Sequence, residues 1–91
     1  SPEAREKAAV IFQCLTEGKE SFKAGKPVAS IRQEAFDKLQ AAGFEPEYFE
    51  IVDGFTLMPV GSPDDSTHVV ACCAVKVEGV RLIDNMIWKS E

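Results

Sequence analysis

The stretch that most constrains this chain is 68–88, where two runs rich in β-branched and apolar residues flank Glu78-Gly79. Glycine tolerates the positive φ that a tight turn requires, and alternating apolar positions on both sides of such a turn mark a β-hairpin. With a two-residue loop, Val77 faces Val80, Val75 faces Leu82, Ala71 faces Met86 and Val69 faces Trp88. That makes one nearly continuous apolar face, suited to lie against a core. The other face carries His68, Cys72, Lys76, Arg81 and Asn85 among Val70, Ala74, Ile83 and Ile87, and is expected to be partly wet. A type I turn with a bulge at Gly79 would shift the register by one residue; the residues alone admit both arrangements.

The segments before the hairpin carry helical signals. Ser1-Pro2-Glu3 has the form of a helix start, with Ser as N-cap, Pro at the first helical position and an acid in the first turn. Ala4, Ala8, Ile11, Leu15 and Phe22 then recur at spacings of three, four and seven, with Phe12 beside them, as one buried stripe. Gly18 costs about 1 kcal/mol against Ala in a helix, so bending or fraying is expected there, with the helix ending near Ala24-Gly25. A second helix is expected to begin between Pro27 and Ser30. Pro27 offers a first helical position there, and Ser30 with Gln33 offers a capping box. Val28, Ile31, Ala35, Leu39 and Ala42 form its stripe, with Phe36 alongside, and Gly43 is placed to let Phe44 fold back on Leu39.

Residues 48–52 (Tyr-Phe-Glu-Ile-Val) read as a short strand opened by Pro46 and closed by Asp53-Gly54. The connection 55–67 has two Pro, a Gly and two Asp near its centre, the composition of a surface loop. The expected fold is therefore α+β: two N-terminal helices packed on one face of a three-stranded antiparallel sheet, ααβββ.

Ninety-one residues are expected to make one domain, 1–91, with one modest core. Net charge is −5, with basic residues interleaved among acidic ones, which disfavours nucleic acid and anionic membrane as partners. No run approaches the roughly 20 apolar residues of a membrane span, and the charged first residues do not form a signal peptide. The chain begins at Ser1 rather than Met and is expected to be a piece of a longer protein. Its three cysteines are expected to be buried and reduced, as in a cytoplasmic protein. Cys72 and Cys73 are strand neighbours pointing to opposite faces, which argues against a bridge between them and against a zinc site with His68.

The catalytic inventory is thin. His68 is the only histidine and reads as a rim residue at a strand start. No upstream residue is spaced to make a nucleophile–base pair with it, and no glycine-rich phosphate loop is present. No catalytic, cofactor-binding or metal-binding residue is assigned. Two places resist a purely structural reading. In Asp53-Gly-Phe-Thr56, an acid and a hydroxyl follow a strand and can cap the turn. In Arg81-Leu-Ile-Asp84-Asn85, two poor strand formers sit inside a strand, with Asp84 on the apolar face opposite Cys73. A carboxylate there must be hydrogen-bonded or paired. Asp53, Thr56, Arg81, Asp84 and Asn85 are the candidates for supporting a motif or facing another domain.

Ser1-Pro-Glu with Arg5, the segment Tyr48-Phe-Glu-Ile-Val-Asp53 with Thr56-Leu57 and Pro59, and Gly79-Val-Arg-Leu-Ile-Asp-Asn85, taken together and in order, resemble the carboxyl-terminal domain of the pantothenate synthetase (pantoate–β-alanine ligase) family. The resemblance implies a two-domain, ATP-dependent, AMP-forming ligase of pantothenate biosynthesis. Its nucleotide-binding amino-terminal domain activates pantoate with ATP and Mg²⁺ to pantoyl adenylate, which the β-alanine amine then attacks. It implies a cytoplasmic homodimer in which the second domain is a hinged cover, so this chain alone is expected to be inactive and to hold no cofactor. The family's His-x-Gly-His and Ser-Ser-Arg-Asn motifs are absent here, and no catalytic residue carries over. The acidic 61–67 loop is where this chain departs from the family it resembles. A free-standing α+β binding module, or a dimerisation module using the exposed face of the last strand, are the competing readings.

Overall fold

The computed structural model describes residues 2–91, so the N-cap expected at Ser1 lies outside the described residues. Helix α1 spans Pro2–Lys23 and α2 Val28–Ala41; strands β1 (Glu45–Asp53), β2 (His68–Val77) and β3 (Val80–Ser90) follow, with a 3₁₀ turn at Pro63–Asp65 between β1 and β2. The strands make one antiparallel sheet in the order β1-β2-β3. The helices cover one face of it, giving the expected ααβββ arrangement.

Alternation along β2 sends Val69, Ala71, Cys73 and Val75 to the covered face, and all four are buried. They join Ile11, Leu15 and Phe22 of α1 and Ile31, Ala35 and Leu39 of α2 in one apolar cluster. The stripes expected on the helices hold from Ile11 to Phe22 and from Ile31 to Leu39 and fail in the first turns of α1, at Phe12 beside the stripe, and after α2. Ala4, Ala8 and Phe12 on α1, and Ala42 after α2, are exposed. The first turns of α1 stand away from the hairpin and leave a groove of about 400 Å³ between them, which alanine side chains are too short to close.

Helix ends follow backbone chemistry. Gly43, at φ 91, donates to the Gln40 carbonyl while Phe44 donates to that of Leu39, and Phe44 joins the core, as expected. Gly25 ends α1 in the same way, with the Lys26 amide donating to the Ser21 carbonyl. The capping box expected at Ser30 and Gln33 does not form. Pro27 is itself the N-cap, with φ −56 and ψ 136, and its carbonyl accepts the Ser30 and Ile31 amides. Ser30 is therefore already inside the helix, and the Gln33 side chain donates instead to Asp37 at 3.0 Å.

The hairpin takes the two-residue turn. Glu78 (φ 51) and Gly79 (φ 78) both have positive φ, the type I′ signature, and Val77 pairs with Val80, Val75 with Leu82 and Ala71 with Met86. One expected pair is wrong: Val69 faces Lys89, because the register shifts after Val70–Ile87 and leaves Trp88 as the extra residue of a bulge. The bulge aims the indole into the core, between Phe22 at 5.5 Å and Phe49 at 6.0 Å. There it lies on Gly18, where an added Cβ would come within 2.7 Å of Trp88 Cζ2. Gly18 is thus a seat for the indole, and α1 runs through it as one helix instead of fraying. The strand expected at 48–52 is longer, Glu45–Asp53, and takes in Pro46 through a register shift between Pro46 and Tyr48. Arg32 of α2 ties β1 to the helices, donating from Nε to the Phe49 carbonyl at 3.0 Å and pairing with Glu50 at 2.9 Å.

Candidate functional site

Asp53 closes β1 and organises the loop that follows it. Its Oδ1 accepts the amides of Phe55 (2.8 Å) and Thr56 (2.9 Å), and its Oδ2 accepts the Ser66 hydroxyl at 2.5 Å. Its own amide donates to the Met58 carbonyl, while its carbonyl accepts the Leu57 amide, both at 2.9 Å. Thr56 contributes as the sequence suggests, its Oγ1 accepting the Met58 amide at 3.2 Å. The Ser66 hydroxyl, then the Thr56 and Phe55 amides, favour the ionised carboxylate and hold Asp53 at about 2. Ser66 was not legible as a partner, since a contact between residues 13 positions apart in a loop leaves no periodic trace.

These bonds turn the chain back without hiding its side chains. Phe55, Leu57 and Met58 are 79%, 71% and 64% exposed. Leu57 sits at φ 63, a left-handed conformation that a large side chain rarely adopts. His68, expected only as a rim residue, has a definite place: its ring packs on that of Phe55 at 4.9 Å. It lies so close over Gly54 that an added Cβ would come within 2.0 Å of His68 Cδ2.

The other candidates lie elsewhere. Arg81 is near the hairpin turn, opposite Lys76, and pairs with Glu47 at 2.9 Å. Asp53 faces Val69 near the far end of β2, so the seven residue steps from Val69 to Lys76 put roughly 23 Å between the two sites at the usual strand rise. Asp84 does stand opposite Cys73, half-buried, and its Oδ1 accepts the Asn85 amide at 2.8 Å. No basic side chain among the described residues pairs with it. β3 is an edge strand, and a carboxylate held over one of its amides blunts that edge. Asn85 is exposed on the open face opposite Cys72. The five candidates therefore do not converge: Asp53 and Thr56 form one unit, and Arg81, Asp84 and Asn85 are spread along β3.

The thiols are poor nucleophiles. Burial pushes Cys73 up to about 11, and burial raises Cys14 and Cys72 as well. All three are free; Cys14 and Cys73 are buried as expected, but Cys72 is only half-buried because it points to the open face. Among the described residues no three His, Cys, Asp or Glu side chains converge as metal ligands, and no helix is long and apolar enough to cross a membrane. What the site does chemically is hold an apolar loop in one shape.

The sequence pattern of the pantoate-beta-alanine ligase family matches residues 1–87. The pantothenate synthetase of Bacteroides thetaiotaomicron is 41% identical over 90 residues, covering 98% of this chain and 32% of that protein. The pantothenate synthetase of Exiguobacterium sp. is 37% identical over 83 residues, covering 90% of this chain and 29% of its own length. A crystal structure of pantothenate synthetase from Thermus thermophilus superimposes with a TM-score of 0.80 at 30% identity, covering 98% of this chain and 32% of that one. The chain thus spans about a third of the length of the relatives it matches.

Proposed function

This chain belongs to the pantoate-beta-alanine ligase family, and from that premise we propose that residues 1–91 are one domain, the carboxyl-terminal lid of a pantothenate synthetase. The intact enzyme would join pantoate and β-alanine at the expense of ATP, in the cytoplasm and as a homodimer. The observation that carries this reading is the match along nearly the whole chain to only a third of each relative. A share of that size is the size of a domain and leaves the larger part of the enzyme elsewhere.

The residues present do not fit ATP or Mg²⁺. They offer no converging metal ligands among the described residues and no glycine-rich phosphate cradle. No chemical step is therefore routed through this chain, and its contribution is physical. An acyl adenylate is lost if water reaches it, so a domain that closes over the site protects the intermediate and keeps the site dry. Such a domain needs its own core, which the helix-covered face provides, and a surface that meets the rest of the enzyme.

Two measurements test this. The complete coding sequence should place a His-x-Gly-His motif upstream of Ser1, and the full-length protein should form pantothenate from pantoate, β-alanine and ATP. Calorimetry on the 91-residue chain should detect no stoichiometric ATP binding. A micromolar ATP site on this chain would make it a binding module in its own right and refute the lid assignment.

A further inference from the structure

Taking the lid reading as its basis, we infer that this domain meets the remainder of the enzyme through the 55–58 loop and the adjoining end of the open sheet face. The occupant is the rest of the same polypeptide, the two thirds of length that the relatives possess beyond the matched part.

Phe55, Leu57 and Met58 are the most exposed large apolar side chains among the described residues, and they lie within four positions of one another. A connection that only joined β1 to β2 would gain nothing from placing them in water. Nor are they exposed because the loop is slack. Asp53 ties down three donors, Thr56 a fourth, and Leu57 is held in a left-handed conformation that costs free energy. A turn that uses hydrogen bonds and backbone strain to fix apolar residues outward is built to present them.

The presented surface continues beyond the loop. Phe55 leans on His68, and alternation along β2 puts His68 on the same face as Val70. Val70 stands in register between Val52 and Ile87, and Ile87 is 53% exposed. Phe55, the imidazole and this cross-strand row adjoin at one end of the sheet, on the face the helices leave open, and Leu57 and Met58 stand beside Phe55 in the same exposed loop.

A strip of only a few side chains suits a tethered partner. Two separate copies need roughly 1,200–2,000 Å² of buried surface to associate stably. A domain on the same chain is already at millimolar effective concentration, so a few side chains suffice to bias closure.

The test uses the full-length enzyme. Leu57→Ser with Met58→Ser removes the tip of the strip. Phe12→Ser, at an apolar side chain 58% exposed on α1, is the control. The readout is AMP released per pantothenate formed, which rises when the intermediate leaks to water. The loop variant is expected to raise this ratio roughly tenfold, the effect of about 1.4 kcal/mol lost from closure, with the affinity for ATP unchanged and the control matching the parent. Hydrogen exchange at 55–58 in the parent enzyme should slow when pantoate and ATP are added. If the loop variant behaves like the control while the parent is active, the docking face lies elsewhere and the lid assignment survives. If sedimentation shows that the variant instead dissolves a dimer, the occupant is a second copy and the inference fails. If the parent forms no pantothenate, the lid assignment itself falls.

Discussion

The helix-covered face of the sheet and the end that carries the 55–58 loop are built from the same strands, yet they treat apolar side chains in opposite ways. On the covered face, Val69, Ala71, Cys73 and Val75 meet two helices and are removed from water. At the loop, Phe55, Leu57 and Met58 stand in water on a turn whose backbone is held by hydrogen bonds to Asp53. Burial accounts for the first set, since each large apolar side chain buried contributes about 1.5–3 kcal/mol. Folding of this chain does not account for the second, and a surface for another body does.

The largest expected effect lies at the centre of the covered face. Trp88→Ala removes a fully buried indole packed between Phe22 and Phe49 and should cost about 3–5 kcal/mol in urea unfolding. The buried Nε1 has no partner among the described residues, which subtracts from what the wild-type indole contributes. A loss below about 1 kcal/mol would mean that the sheet and helices hold together without it.

Next comes Gly18→Ala. Helix propensity alone favours Ala by about 1 kcal/mol, but the new Cβ would press to within 2.7 Å of the indole ring. A net loss of about 1–3 kcal/mol is expected, as for an overpacked core. A stabilised variant would show that the ring and helix can separate freely, and the covered face would then be looser than its packing implies.

A smaller, local effect separates the loop from the core. Asp53 is held at about 2 against an ordinary 3.8, so its stabilisation of the loop is complete above pH 3.8 and is lost as pH falls through about 2. Amide exchange at Phe55, Thr56 and Leu57 should accelerate across that window before exchange in β2 does. Asp53→Asn should remove the pH dependence while leaving β2 protection in place. Simultaneous loss in both regions would mean that loop and core unfold as one unit.

The sequence made the covered face legible because burial there is periodic. Isoleucine, leucine and phenylalanine at helical spacing, and alternate residues in β2, each follow from a single repeat. Gly43 with Phe44 was legible for a similar reason, since the capping chemistry is contiguous. Gly18 and Trp88 were misread because their relation spans most of the chain: propensity sees a weak helix position, and only packing shows the indole lying on it. The Val69–Trp88 pairing failed for the same cause, since the bulge answers to the core and not to the hairpin. At the candidate site, Asp53 and Thr56 were visible as turn chemistry, whereas Ser66, His68 and the outward set of Phe55, Leu57 and Met58 were not. Nothing local distinguishes an apolar residue bound for the core from one held away from it. Arg81, Asp84 and Asn85 stood out by residue type, and the structure places them along β3 without joining them to the loop.

The most direct test of the division between the two regions is a pair of thermal melts on this chain. One variant carries Phe55→Ser, Leu57→Ser and Met58→Ser together; the other carries Leu39→Ala, a single truncation in the covered core. The triple variant should stay within about 0.5 kcal/mol of the parent, while Leu39→Ala should lose about 2–5 kcal/mol. If removing three exposed apolar side chains destabilises the chain as much as that single core truncation, the loop belongs to the fold and is not a surface held ready for the rest of the enzyme.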